Sequence, residues 1–198
     1  MSGCSQLLEW CDSVFASSEA CDVAVDMYDQ QCCRNLAALF SCPHVAFMRY
    51  GRDDLVQGYS RMSDAEGMVV RLISCHRIPW PVRRRLIESV VSLYERQFAI
   101  DALDHVCFMW WDGIVGYGAL DLWCCRTEKR KIIATIVSAL EVILRMKNAD
   151  CIRSALHGLA HVPHRRAPSI IRASVRANNR WPEALKEYAR QCLERKVL

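Results

Sequence analysis

Apolar residues along this chain of 198 residues recur mainly every three or four positions, the spacing of one face of an α-helix. The longest such pattern follows Thr127 and consists of Ile132, Ile133, Ile136, Val137, Leu140, Ile143 and Leu144. No segment alternates apolar and polar residues as a half-buried strand would. The pattern therefore predicts an all-α protein with about nine helices.

In the first third, helices are predicted over residues 7–15 and 21–40, with Ser18 and Glu19 as start signals of the second. Residues 41–62 contain one proline and two glycines and show no clear period. They are predicted to form a connection, with a β-hairpin as the alternative.

Local start signals define the later helices. The sequence Ser63-x-x-Glu66 predicts a capping box, and Pro81 fits the first turn of the next helix. Another helix is predicted over residues 101–112. The remaining predicted starts are Thr127, Asp150, Pro168 and Pro182.

From residue 127 onward the predicted helices follow one another with very short turns. This spacing favours antiparallel helix pairs stacked as an α-solenoid. We expect one all-α domain over residues 1–198, with an acidic helical part at 1–62 and stacked helices at 63–198.

Charge is distributed unevenly along the chain. Residues 1–67 contain four basic and ten acidic side chains, whereas residues 68–198 contain 22 basic and 12 acidic ones. The net charge of +4 therefore conceals an acidic first third and a basic remainder. Each end could attract a partner of opposite charge.

The composition is that of an ordinary globular protein, 52% hydrophobic and 24% charged. Charges interrupt every apolar run before the roughly 18 residues that a membrane span needs. The first residues also lack the pattern of a signal peptide. We therefore expect a cytoplasmic protein without a membrane partner; its oligomeric state stays open.

Twelve cysteines are scattered among apolar residues, without a C-x-x-C spacing. We interpret them as buried free thiols rather than as disulfides or zinc ligands. A cysteine nucleophile is the alternative. Cys151, at a predicted helix start, is its best candidate because the helix dipole favours the thiolate.

His157 and His161 are four residues apart and project from one helix face. A helical wheel places them opposite the stripe of Ile152, Ala155, Leu156 and Leu159. They would face either solvent or the next helical layer. Structural hydrogen bonding is the leading interpretation, followed by contact with a partner. Metal binding with His164 is the least favoured, because the glutamate of H-E-x-x-H is missing.

A second group of polar residues consists of Asp101, Asp104, His105 and Asp112, beside Trp110 and Trp111. These residue types could form an acid/base site with aromatic walls, as in some HEAT-like DNA glycosylases. The favoured interpretation is that the tryptophans fill the core and the polar residues anchor helix ends.

Arg165, Arg172 and Arg176 are spaced by seven and four residues and form one predicted stripe. The stripe could meet an acidic protein, bind nucleic-acid phosphates or simply be solvated. The run Arg83-Arg84-Arg85 is interpreted as a solvated face, with an anion or partner contact as the alternative. No nucleotide-binding or hydrolase motif occurs, so we expect no cofactor and no metal.

Three stretches between residues 98 and 198 resemble an uncharacterised family of bacterial HEAT-like repeat proteins. They are Leu103-Asp104-His105 with Met109-Trp110-Trp111-Asp112; Cys151 with Ser154-Ala155-Leu156-His157-Gly158-Leu159 and His161; and Pro182-Glu183 with Leu185, Tyr188-Ala189 and Val197-Leu198. The resemblance implies a HEAT-like helical fold, and no catalytic residues can be carried over from it.

The expected function is a non-enzymatic HEAT-like module that binds a protein partner through Arg165, Arg172, Arg176, His157 and His161. A toxin-neutralising immunity protein is one concrete form, since such proteins are small, compact and electrostatically polarised. The alternative is a nucleic-acid-binding protein or a HEAT-like DNA glycosylase that uses the basic second half.

Overall fold

The computed structural model describes residues 3–15, 29–116, 118–194 and 196. Within these ranges the chain is helical, without strands. The helices are α1 (Gly3–Phe15), α2 (Gln30–Ser41), α3 (His44–Phe47), α4 (Arg52–Ser63), α5 (Met68–Ser74), α6 (Trp80–Leu93), α7 (Val106–Val115), α8 (Ala119–Trp123), α9 (Arg126–Ile143), α10 (Ala149–His161), α11 (Ala167–Ala177) and α12 (Glu183–Leu193). The predicted all-α class is confirmed.

One contiguous hydrophobic core contains buried side chains from α1 through α12. At its centre the Trp110 ring lies edge-on to Phe40 and Phe98, with centroid separations of 5.5 and 5.6 Å. Such edge-to-face pairs add to the gain from burial. Of the described residues, none belongs to a helix that is both long and apolar enough to cross a bilayer.

Helix α10 lies in the middle of the second half and packs against α7, α9, α11 and α12. Its N-cap is Asn148, whose side-chain oxygen accepts a 3.0 Å hydrogen bond from the Cys151 backbone N–H. The predicted cap at Asp150 is therefore wrong by two residues. Asn148 is an equally good cap, because its amide oxygen can satisfy an otherwise unpaired N–H group.

The first third differs most from its prediction. Residues 41–62, expected to be a connection or a hairpin, contain α3 and most of α4. Gly51 precedes α4, and the Asp54 carboxylate accepts a hydrogen bond from its N–H. Helix α2 begins at Gln30, and the start signals Ser18 and Glu19 lie outside the described residues.

The predicted capping box at Ser63 and Glu66 does not form. Ser63 is the last residue of α4, and its hydroxyl donates back to the Tyr59 carbonyl instead of capping a new helix. Helix α5 begins after Gly67. The local sequence motif is outweighed by the packing of α4, which continues through Met62 into the core.

Residues 101–105 precede α7 rather than belonging to it. Leu103 and Asp104 adopt left-handed backbone conformations with φ of 50° and 56°, which stop a helix. The Asp101 carboxylate stabilises the turn by accepting a 2.8 Å hydrogen bond from the Leu103 N–H. Upstream, a π-helical turn at Tyr94–Phe98 follows α6 and buries both of its aromatic end residues.

Arg83 departs from the solvated face expected for its arginine run, because only 3% of its surface is exposed. Its guanidinium donates to the carbonyls of Ile73 and Ile78 and to the carboxylate of Glu128 on α9. The neighbouring Arg84 and Arg85 are exposed, as predicted.

Candidate functional site

Three side chains from two helices converge in the second half. His157 and His161 project from α10, and Asp112 projects from the adjoining α7. The Oδ1 atom of Asp112 lies 2.7 Å from His157 Nε2 and 3.6 Å from His161 Nε2. The three ligand-type atoms all lie within 4.8 Å of one another.

Close packing of α10 on α7 creates this convergence. Gly158 faces Trp111, and a Cβ atom added there would lie 2.8 Å from the Trp111 ring. The missing side chain lets the helices approach, and the i, i+4 spacing then directs both imidazoles to the same carboxylate. The polar residues are thereby enclosed between the two helices.

His157 is positioned from a second side by α12. Its Nδ1 atom lies 2.7 Å from the Tyr188 hydroxyl, and the Phe108 ring packs against it at a centroid distance of 4.5 Å. The Arg153 guanidinium lies over both the Tyr188 and Phe108 rings. The imidazole is therefore held rigidly, with its Nε2 directed toward Asp112.

The site contains buried polar atoms that lack hydrogen-bond partners. Among the described residues, none forms an aligned hydrogen bond with Asp112 Oδ1, His157 Nε2 or His161 Nε2. Burial, followed by the nearby His157, lowers the pKa of His161, and Asp112 acts in the opposite direction. Imidazole nitrogens beside a carboxylate oxygen are the donor set of many divalent-metal sites.

A cleft of about 330 Å³ lies between α4 and α7 and includes Asp112 in its lining. It is lined by Asp112 and Gly113 together with Ser63, Asp64, His105 and Met109, among others. Gly113 is needed where α7 crosses the end of α4, because a side chain there would collide with the Ser63 backbone carbonyl. Asp112 therefore belongs both to the buried cluster and to the wall of the cleft.

The predicted partner-binding residues separate into two groups. His157 is only 3% exposed, so the expectation that it contacts a partner is corrected: α7 and α12 cover it. The His161 side chain keeps 21% exposure. Arg165, Arg172 and Arg176 are all exposed, although Arg165 precedes α11 instead of continuing its stripe.

The residues considered for an acid/base site do not assemble as one. Arg52 binds Asp101 and Asp104 at 3.0 and 2.8 Å and thereby lowers the pKa of both carboxyls. Trp110 and Trp111 are buried in the core and form no wall of a groove. This agrees with the favoured interpretation that the tryptophans are structural.

Cys151 is also buried, with no exposed surface, so an incoming substrate cannot reach its thiol. Ten cysteines within the described residues are free, and most of these are buried. This matches the interpretation of the cysteines as small core residues.

Sequence reasoning found the histidine pair but missed its connection to Asp112 and Tyr188. The available signal was an aspartate within the apolar run Trp110–Ile114, because a carboxylate inside a buried helix needs a partner. Its distance of 45 positions from His157 hid the pairing.

The chain matches no family model, no curated protein sequence and no solved structure.

Proposed function

We propose that this protein is a helical interaction module that binds an acidic surface of a partner protein. The proposed contact residues are Arg165, Arg172 and Arg176, here called the arginine surface. One observation carries the proposal: these exposed side chains have no ion-pair or hydrogen-bond partner anywhere in the described parts of the chain.

Other arginines nearby are neutralised within the protein. Arg145 and Arg166 both bind Glu141, at 3.1 and 3.0 Å, and Arg190 binds Glu183 at 2.5 Å. The segment from Cys151 to Pro182, in contrast, contains no Asp or Glu at all. Its positive charge is therefore available to attract an acidic molecule.

Two of the three residues of the arginine surface, Arg172 and Arg176, lie on a well-anchored helix. Ala167, Ile170 and Ile171 of α11 are buried against the core, whereas Arg172 and Arg176 lie one turn apart on its outer side. Side chains on a fixed helix lose less freedom on binding than those on a loop. This favours a specific contact over a purely solvated face.

A HEAT-like stack of helix pairs is part of the same proposal. Support comes from the succession α9 to α12, in which each helix packs on the next across a short connection. A toxin-neutralising immunity protein remains one form of such a module. The modest sequence pI of about 8.5 favours an acidic protein over DNA as the partner.

The test is charge reversal with a matched control. The double variant Arg172→Glu and Arg176→Glu is compared with Arg126→Glu and Arg130→Glu, an exposed i, i+4 pair on α9. Both changes alter the net charge equally. Nuclease-treated extract of the native host is passed over each immobilised protein, and retained proteins are compared with those retained by wild type.

An acidic protein retained by wild type and by the α9 control, but lost with the α11 variant, is the expected result. Retention that is equal for both variants would contradict the proposal. Duplex DNA is tested separately at low and moderate salt. Salt-sensitive DNA binding abolished by the α11 variant would favour the nucleic-acid alternative instead.

A further inference from the structure

We infer that Asp112, His157 and His161 form a binding site for one divalent transition-metal ion, of the class of zinc. Two imidazole nitrogens and one carboxylate oxygen are a common ligand set for such ions. The inference is independent of the proposed partner binding, because it concerns a buried cluster and not the arginine surface.

Geometry is the first argument. In a tetrahedral centre with bonds of about 2.0–2.1 Å, two ligand atoms lie about 3.3 Å apart. The separations from Asp112 Oδ1 to His157 Nε2 and His161 Nε2, 2.7 and 3.6 Å, bracket that value. The three ligand atoms lie within 4.8 Å of one another, so the largest separation must close by no more than about 1.5 Å for an ion to bind all three.

Unsatisfied polar atoms are the second argument. Asp112 and His157 are more than nine-tenths buried, and their closest atoms lack aligned hydrogen bonds within the described residues. At 2.7 Å the Asp112 carboxylate oxygen and His157 Nε2 need a proton or a cation between them. A proton on Nε2 satisfies that pair alone, whereas a cation can also bind His161 Nε2, which otherwise lacks a hydrogen-bond partner within the described residues.

The surroundings supply the outer contacts that metal sites use. With Nε2 bound to the ion, His157 carries its proton on Nδ1 and donates it to the Tyr188 hydroxyl, 2.7 Å away. Asp112 also lines the cleft beside α4, and a water molecule in a fourth position would complete a tetrahedral centre.

The test measures zinc binding to the full chain with a chromophoric competitor and counts metal per chain after dialysis. Wild type is expected to hold one zinc. His161→Gln, which removes the partly exposed ligand, is expected to lower the zinc affinity more than about 100-fold. This loss exceeds the roughly 10–100-fold that is typical when only an outer contact of a ligand is removed. His164→Gln is the matched control, since His164 lies outside the cluster; it should bind like wild type.

Cobalt distinguishes this site from adventitious binding to cysteines. The wild-type cobalt complex should lack a thiolate-to-metal charge-transfer band, whereas His161→Cys should keep the ion and acquire that band. This variant also decides the matter if His161→Gln does not fold. The inference is overturned if wild type binds no stoichiometric metal, if His161→Gln and His164→Gln bind equally, or if wild type already shows the thiolate band.

Discussion

The guanidinium of Arg83 lies 2.5 Å from the carboxylate of Glu128 and links α6 to α9 inside the helical packing. Arg83 also donates to two backbone carbonyls from the segment before α6, so one side chain ties three parts of the chain together. Its exposed neighbour Arg84 binds only Glu88, one turn away on the same helix.

Replacing Arg83 by alanine should therefore be costly. We expect Arg83→Ala to lower the free energy of unfolding by about 3 kcal/mol, because Glu128 and the two carbonyls lose a buried donor. Arg84→Ala should change it by less than about 0.5 kcal/mol, since its ion pair is exposed. Urea denaturation of both variants tests this; equal losses would contradict the role assigned to Arg83.

Tyr188→Phe removes the hydroxyl beside His157 Nδ1 and keeps the ring that packs on Arg153. We expect a loss of about 1 kcal/mol in unfolding free energy, the typical value of one hydrogen bond. If the metal inference holds, zinc affinity should also fall about 10–100-fold, because the phenol orients a ligand. Unchanged stability and unchanged zinc affinity would show that this hydrogen bond contributes nothing.

Replacing Gly158 or Gly113 by alanine should destabilise the protein, although helical propensity alone predicts the opposite. Propensity alone favours alanine over glycine within a helix by about 1 kcal/mol. At Gly158 the new methyl group meets the Trp111 ring, so we expect destabilisation by about 1–3 kcal/mol. At Gly113 it meets the Ser63 backbone, which cannot rotate away, and the loss should be larger. Urea denaturation gives the order, and stabilisation of either variant would refute the close contacts.

Acid should weaken the ion pairs that Arg52 forms with Asp101 and Asp104. Arg52 lowers the folded-state pKa of Asp101 and Asp104, so the unfolded chain takes up protons at higher pH than the folded protein. The stability contributed by these pairs is present above the ordinary carboxyl pKa of about 3.9 and is lost as pH falls through the lower folded value.

Arg52→Gln should therefore be less stable than wild type near neutral pH, and the difference should shrink as the pH falls below the ordinary carboxyl pKa of about 3.9. Arg96→Gln is the control, because Arg96 donates to the Ser41 carbonyl, which does not titrate in this range. Urea denaturation across this range measures both differences. A pH-independent difference for Arg52→Gln would contradict the assignment.

Local signals predicted the parts of the fold that depend on local interactions. Pro81 lies in the first turn of α6, and the long apolar pattern after Thr127 became α9, displaced by one residue. Helix α4 was missed because its glycines suggested a loop. Gly58 is instead a buried helical residue beneath the Phe15 ring, a contact across 43 positions of sequence that no local pattern reveals.

The histidine pair at the candidate site is a second case in which a local pattern does not reveal the tertiary contacts. The wheel placed His157 and His161 opposite the apolar stripe of α10. It could not show that this side is also covered, because coverage depends on where α7 and α12 pack. Of the two expected surroundings, solvent or the next helical layer, the pair has the second, and it forms part of an internal polar cluster with Asp112.

The π-helical turn at Tyr94–Phe98 constrains the number of residues in this part of the chain. A π-turn contains one residue more than an α-helical turn, and each helical residue rotates the chain by about 100°. Removing one residue here would turn Phe98 away from Trp110 and Tyr94, although Glu95 and Arg96 are exposed. Any related chain that keeps this packing must keep the number of residues in this turn, whereas the exposed connections between helices are free to lengthen.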